Sequence, residues 1–358
     1  ELRNYLMADK ITEEELVTRI RGEITDSLGY MGDTISMQRE QAMKYYYGLP
    51  FGNEVDGRSQ YVDSTVQDTI EWIKPSLMRV FASGDEMVKF TPHGPEDVKM
   101  AEQASDYVNY VFTKDNPGWE IMYSWFTDAL LSKNGIVKVW WDEYEEEERE
   151  EYKGLDEIGL QALLMKKDVE VVEHSEYDND YGEVEHDLVI KRKSYNGKIK
   201  IENVPPSEFL ISREAKSIPE ARFACHRVLK TLSELREMYP DQNLEHEDLG
   251  GGDDDMADFS GERLERYQFD KSAQFFEGWG GDPTYGEDGL RTYWLHESFL
   301  KTDFDGDGIT ELRKVCTVGS TVLANEEIDS MPFVSITPIK IPHKFFGLSI
   351  ADLVMDLQ

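Results

Sequence analysis

Near residue 135 the apolar residues of this chain change period, and that change constrains its fold class more than any single motif does. Upstream they recur at helical spacing. Leu16, Ile20, Ile24 and Leu28 share one face, behind Thr12 and Glu15 at capping-box separation. Gln38–Tyr47 fits a second helix, stopped near Gly48 and Pro50. A third runs from Asp63 through Val66, Ile70, Ile73 and Leu77 to Phe81, with Pro75 either kinking or dividing it and Ser83-Gly84-Asp85 ending it. After a turn at Pro92–Pro95, helices fit Val98–Phe112 and Gly118–Leu131, the latter placing Met122, Trp125, Phe126 and Ala129 on one side.

Downstream the pattern is that of strands. Asn134-Gly135 marks a turn and Ile136–Trp141 a strand; Val169–His174, Gly182–Arg192 and Lys198–Val204 follow, the last two joined around Asn196-Gly197. Pro205-Pro206 closes this group. Thr231 and Glu234 cap a short helix carrying Leu232, Leu235 and Met238 and ended by Pro240; residues 241–262, with Gly250-Gly251-Gly252 and Asp253-Asp254-Asp255, read as a mobile loop. Strands resume at Thr292–Glu297, Leu312–Val318 and Met331–Pro338. Ser349–Gln358 has the spacing of a helix start, and the natural polypeptide is expected to continue beyond it. The reading is an α+β chain: a helical part over 1–135, an inserted β-rich module over 136–210, a mixed segment with an acidic loop over 211–290, and a β-containing part over 291–358 leading into a C-terminal helix. No repeat of fixed period is visible.

Charge narrows the function classes. The chain carries 73 acidic against 38 basic side chains, a net −35 in 358 residues, so as a whole it repels phosphate and is a poor candidate for gripping nucleic acid. It remains suited to letting nucleic acid slide past. With 39% apolar residues, 11% aromatics and seven Trp it is no disordered tail, and its length suggests two or three domains. The run Asp142–Glu151 has few apolar positions and belongs at the surface, as a helix or an extended loop. Cys225 and Cys316 cannot make a disulfide framework, which points to a reducing compartment. No apolar run approaches the roughly 18 residues of a membrane span, and Glu1–Lys10 lacks the basic-then-apolar pattern of a secretory signal.

The sharpest local motif is Asp303-Phe304-Asp305-Gly306-Asp307-Gly308-Ile309-Thr310-Glu311. Carboxylates at relative positions 1, 3, 5 and 9 and a glycine at position 6 can surround a hard cation, Ca2+ or Mg2+, with oxygen. Lys314 occupies position 12, where a calcium loop places a bidentate glutamate, and the motif leads into a strand. A plain acidic turn using Gly308 for its dihedral is the competing reading. The seven histidines stand singly, with no i,i+4 pair of the zinc-binding kind. Gly278, Gly280 and Gly281 lack the lysine and hydroxyl residue of a phosphate loop, and there is no glycine-x-serine-x-glycine elbow. Lys191-Arg192-Lys193 can touch phosphates or pair with carboxylates such as the run from Asp142, and Tyr45-Tyr46-Tyr47 can stack on a ligand or fill a helix interface. No catalytic residue and no required cofactor is assigned.

The ordered segments together resemble a known family. Ile70-Glu71-Trp72-Ile73-Lys74-Pro75-Ser76-Leu77, Phe81-Ala82-Ser83-Gly84-Asp85 and Val88-Lys89-Phe90-Thr91-Pro92 open the resemblance. Val204-Pro205-Pro206-Ser207-Glu208-Phe209-Leu210-Ile211, Phe223-Ala224-Cys225-His226-Arg227, the capped segment Thr231–Pro240, the acidic turn, and Pro342-His343-Lys344-Phe345-Phe346-Gly347-Leu348-Ser349-Ile350-Ala351-Asp352-Leu353 continue it. This order is similar to the portal proteins of short-tailed, double-stranded DNA bacteriophages, over most of residues 60–358. The resemblance implies a wing-like fold and a ring, usually dodecameric, assembled in the host cytoplasm and placed at the unique capsid vertex of the virion. It also implies partners: terminase, capsid and scaffolding proteins, a tail adaptor and the translocating double-stranded DNA, with no membrane. The other classes left open are a calcium-stabilised structural or interaction module and a metal-dependent hydrolase.

Overall fold

The computed structural model describes residues 10–49, 57, 63–82, 84, 86–166, 169–178, 184–240, 242, 244–245 and 292–355. The glycines at 278, 280 and 281, most of the loop expected over 241–262, Ser83, Asp85, residues 1–9 of the N-terminus and the end of the last expected helix lie outside them.

Capping boxes start two of the described helices where the sequence places them. Helix α1 (Glu13–Tyr30) opens on a complete capping box: the Thr12 hydroxyl accepts from the Glu15 amide at 3.3 Å, and the Glu15 carboxylate accepts from the Thr12 amide at 3.2 Å. Its Leu16, Ile20, Ile24 and Leu28 are buried. It runs through a widened turn at Met31–Ser36 into α2 (Met37–Tyr47), ending at Gly48. Helix α3 (Thr65–Phe81) is continuous through Pro75, which sits on the exposed face, where the carbonyl left without a backbone donor is open to solvent. Helices α4 (Val98–Tyr110) and α5 (Gly118–Ser132) complete the helical part. The three tyrosines at 45–47 take the interface role, half-buried against a core shared by α2, α3, α5 and the last helix.

Two antiparallel sheets follow. The first has the order β2 (Val169–Asp178), β3 (Val184–Val204), β1 (Gly135–Leu155), β9 (Phe333–Ile336). The second has the order β4 (Phe209–Ile211), β5 (Phe223–Thr231), β6 (Thr292–Thr302), β7 (Glu311–Val318), β8 (Thr321–Glu327). Helix α6 (Glu157–Leu164) covers a small core of Leu163, Leu188 and Ile190, and α7 (Leu232–Met238) opens on a second capping box, Thr231 with Glu234. Helix α8 (Ile350–Met355) closes the described chain. The main core joins α1 to both sheets, with Phe209 and Phe299 meeting Phe333 edge-on at 5.1 Å each. The fold is thus α+β, as the change of period requires.

Several local expectations are corrected. The acidic run Asp142–Glu151 is neither helix nor loop but the middle of β1, paired residue by residue with β3. Its register explains this: Asp142 stands opposite Lys198 and Glu148 opposite Arg192, so an acidic strand is laid against a basic one. Arg192 pairs with Glu150 at 2.9 Å, which realises the carboxylate-pairing reading of the basic stretch. Asn196-Gly197 does not turn the chain, because β3 is one strand from Val184 to Val204. Gly197 has a different reason: a Cβ there would lie 2.4 Å from the Trp141 indole, which occupies the space. Strands β4, β5 and β8 and helix α6 went unforeseen. Cys225 and Cys316 are free, buried thiols.

Candidate functional site

The acidic turn between β6 and β7 brings Asp303, Asp305 and Asp307 together, each with a carboxylate oxygen within 4.8 Å of the others. The turn is built by its own side chains. Asp303 accepts from the amides of Gly306 at 2.8 Å and Gly308 at 2.9 Å, Asp305 from Asp307 at 3.2 Å, and Asp307 from Ile309 at 2.7 Å. Gly308 has φ 88, a left-handed conformation that L side chains avoid. Glu311 lies just past the turn at the start of β7, paired with Arg313 at 2.9 Å, and is not in the three-carboxylate group. The turn also anchors the entry to α1. The Phe304 carbonyl accepts from the Ile11 amide at 3.2 Å, and the Phe304 ring is covered by the Lys10 ammonium and the Arg313 guanidinium.

A buried polar cluster joins the two sheets. Lys138 of β1 and Glu297 of β6 form an ion pair, with His226 of β5 3.4 Å from the same carboxylate and 3.9 Å from Glu208. Burial acts to raise the Glu297 pKa, but His226 and Lys138 more than offset it and hold the carboxyl down at about 2. A second network ties the helices: Glu71 accepts from the Tyr46 hydroxyl and pairs with buried Lys74, which donates to the Tyr123 hydroxyl at 3.0 Å. Burial and the neighbouring Glu71 push the Tyr46 hydroxyl far above its ordinary range.

A hydrolase built on paired carboxylates needs them in one pocket. Among the described residues, the carboxyls held below their ordinary range are Glu71, Glu234 and Glu297, and they lie in three separate places with separate partners. Cys225, raised to about 12 by burial, is a packed thiol rather than a nucleophile. Among the described residues, no helix is long and apolar enough to cross a membrane.

The largest feature with a surface consequence is the ribbon of β1 and β3. Beyond Val139, which donates to the Pro332 carbonyl, β9 no longer covers the outer edge of β1. On one face of the ribbon, Lys198 and Lys200 lie over Tyr144 and Trp140, each at 5.5 Å. The strands expected at Ile136–Trp141, Gly182–Arg192 and Lys198–Val204 fall largely in this ribbon; what the sequence hid is the continuation of β1 past Trp141, because the solvent-facing run Asp142–Glu151 shows no apolar alternation. Sequence reading also kept the histidines apart, whereas the register of β2 on β3 brings His174 and His186 side by side.

The chain matches a family model described as the phage SU10 portal protein over residues 16–358. None of the curated proteins matches the chain.

Proposed function

As the chain belongs to the phage SU10 portal protein family, we propose that its copies close into a ring that serves as the conduit for double-stranded DNA during packaging and ejection. The family is structural and the chain is a phage portal protein. The finer assignment is a ring of about a dozen subunits at the capsid vertex, docking terminase on one occasion and a tail adaptor on another. The observation that carries it is the family match along almost the whole chain. The charge supports it: a net −35 per subunit lowers affinity for a passing duplex, so translocation is not stalled by phosphate contacts.

Native mass spectrometry with negative-stain imaging tests the assembly. Closed rings with an open centre are expected; a chain that stays monomeric at tens of micromolar under every salt condition would sink the ring.

The Asp303–Asp307 turn is proposed as a weak Ca2+ or Mg2+ site that braces the junction of α1 and β7. Its support is the three converging carboxylates, with Glu311 able to join only by leaving Arg313. Calorimetric titration with calcium should give heat that Asp305→Asn abolishes, and no heat at millimolar calcium ends the proposal.

A further inference from the structure

His174 and His186 are twelve residues apart on neighbouring strands, and neither has a role in the reading above. Nε2 of His174 lies 3.1 Å from Nδ1 of His186, with ring centroids 5.2 Å apart and planes tilted by 30°. The register makes this a diagonal cross-strand pair: His174 stands opposite Leu188, and His186 opposite Glu176. His186 is buried, 6% exposed, beside the small core under α6, while His174 is open to solvent. The pair therefore has an apolar floor and an accessible mouth.

Without an ion the contact is a hydrogen bond, one ring nitrogen donating and the other accepting. The same geometry fits a chelate. Two imidazoles held at about 2.05 Å by one tetrahedral ion put their nitrogens about 3.3 Å apart and their centroids about 5.2 Å apart. At a right angle, as in a square-planar site, the nitrogens are about 2.9 Å apart. The observed nitrogen separation falls between these, and the centroid separation matches the tetrahedral one, so an ion enters with shifts of a few tenths of an ångström. Only the donating ring has to shift its proton to its far nitrogen for both near lone pairs to be free. Imidazole nitrogen suits borderline first-row ions, whereas Ca2+ and Mg2+ seek oxygen. Glu176 on the same face and the strongly acidic chain favour any cation.

We propose that His174 and His186 chelate one first-row transition-metal ion, Zn2+, Ni2+ or Cu2+, which staples the edge strand β2 to β3. Water fills the remaining coordination positions. The pair differs in chemistry and place from the carboxylate turn at Asp303.

Untagged, chelator-stripped full chain titrated calorimetrically with Ni2+ tests this, alongside His174→Gln, His186→Gln and Asp305→Asn. One ion per chain is expected for the parent, at least about tenfold weaker binding for either histidine variant, and unchanged binding for Asp305→Asn. Because His174 is exposed, His174→Gln remains folded and informative even if His186→Gln does not. Absence of Ni2+ binding in the parent, an isotherm that His174→Gln leaves unchanged, or loss of binding in Asp305→Asn overturns the proposal.

Discussion

Glu297 and Lys138 illustrate how much one buried charge can hold. The two lie on different sheets, so their pairing with His226 is a tie between layers rather than within one. Removing the cation strands a carboxylate in a desolvated site, and such losses cost about 3–5 kcal/mol. Lys138→Met should therefore lower the unfolding free energy by about 3 kcal/mol in urea titrations at neutral pH. The pH dependence has a definite sign. The Glu297 pKa falls from an ordinary 4.5 to about 2 on folding, so its contribution is complete above the unfolded value and is lost as pH drops through that interval. By linkage it is on the order of 3 kcal/mol. The parent should lose this stability between about pH 5 and pH 2, and Lys138→Met should lose markedly less; parallel pH profiles for the two would refute the assignment. None of this was legible in sequence, because 159 residues separate the partners. The capping boxes at Thr12 and Thr231 were legible, because their partners sit three residues away.

Elements were readable in proportion to how one-sided they are. Helix α1 has a buried face and a solvated one, and its boundaries follow from spacing. The β1–β3 ribbon has solvent on both faces over much of its length, so its acidic stretch Asp142–Glu151 carried no alternation, and Asn196-Gly197 imitated a turn inside an unbroken strand. What stabilises the ribbon at its base is again polar. The Asn116 side chain, buried between α4 and α5, acts as a surrogate strand edge: its carbonyl accepts from the Ile201 amide at 3.0 Å, and its amide donates to the Ile199 carbonyl at 2.9 Å and to Val111 at 2.9 Å. Asn116→Ala leaves these backbone groups to find water or go unpaired, at a cost of about 1–3 kcal/mol. Hydrogen exchange should report it locally, with the Ile201 amide losing protection while amides in β6 keep theirs. Equal loss in both strands would mean that Asn116 supports the whole fold rather than the ribbon. The acidic turn was the part of the candidate site visible in advance, since its three aspartates are neighbours in sequence. The histidine pair depends on the β2–β3 register and on the irregularity between Val171 and Glu173, which no spacing rule reveals.

At the scale of the whole molecule, charge and assembly oppose each other. Each subunit carries −35, so copies in a ring repel, and the repulsion must be outweighed by apolar contact or relieved by cations. The described surface offers apolar contact: Trp72, Val80 and Phe81 of α3, Met100 of α4 and Trp119 of α5 are all more than half exposed. Salt separates the two terms. The screening length shrinks from about 30 Å at 0.01 M to about 10 Å at 0.1 M, which weakens repulsion between subunits and leaves apolar contact intact. The ring fraction seen by native mass spectrometry or light scattering should therefore rise as salt increases across that range. Assembly of an acidic subunit around a DNA scaffold predicts something else, since protein–phosphate contacts weaken with salt. If rings dissolve as salt rises, attraction between charged groups rather than apolar packing holds them. The acidic surface would then be a binding surface for cations or basic partners, and the notion of a channel wall that avoids gripping DNA would lose its physical basis.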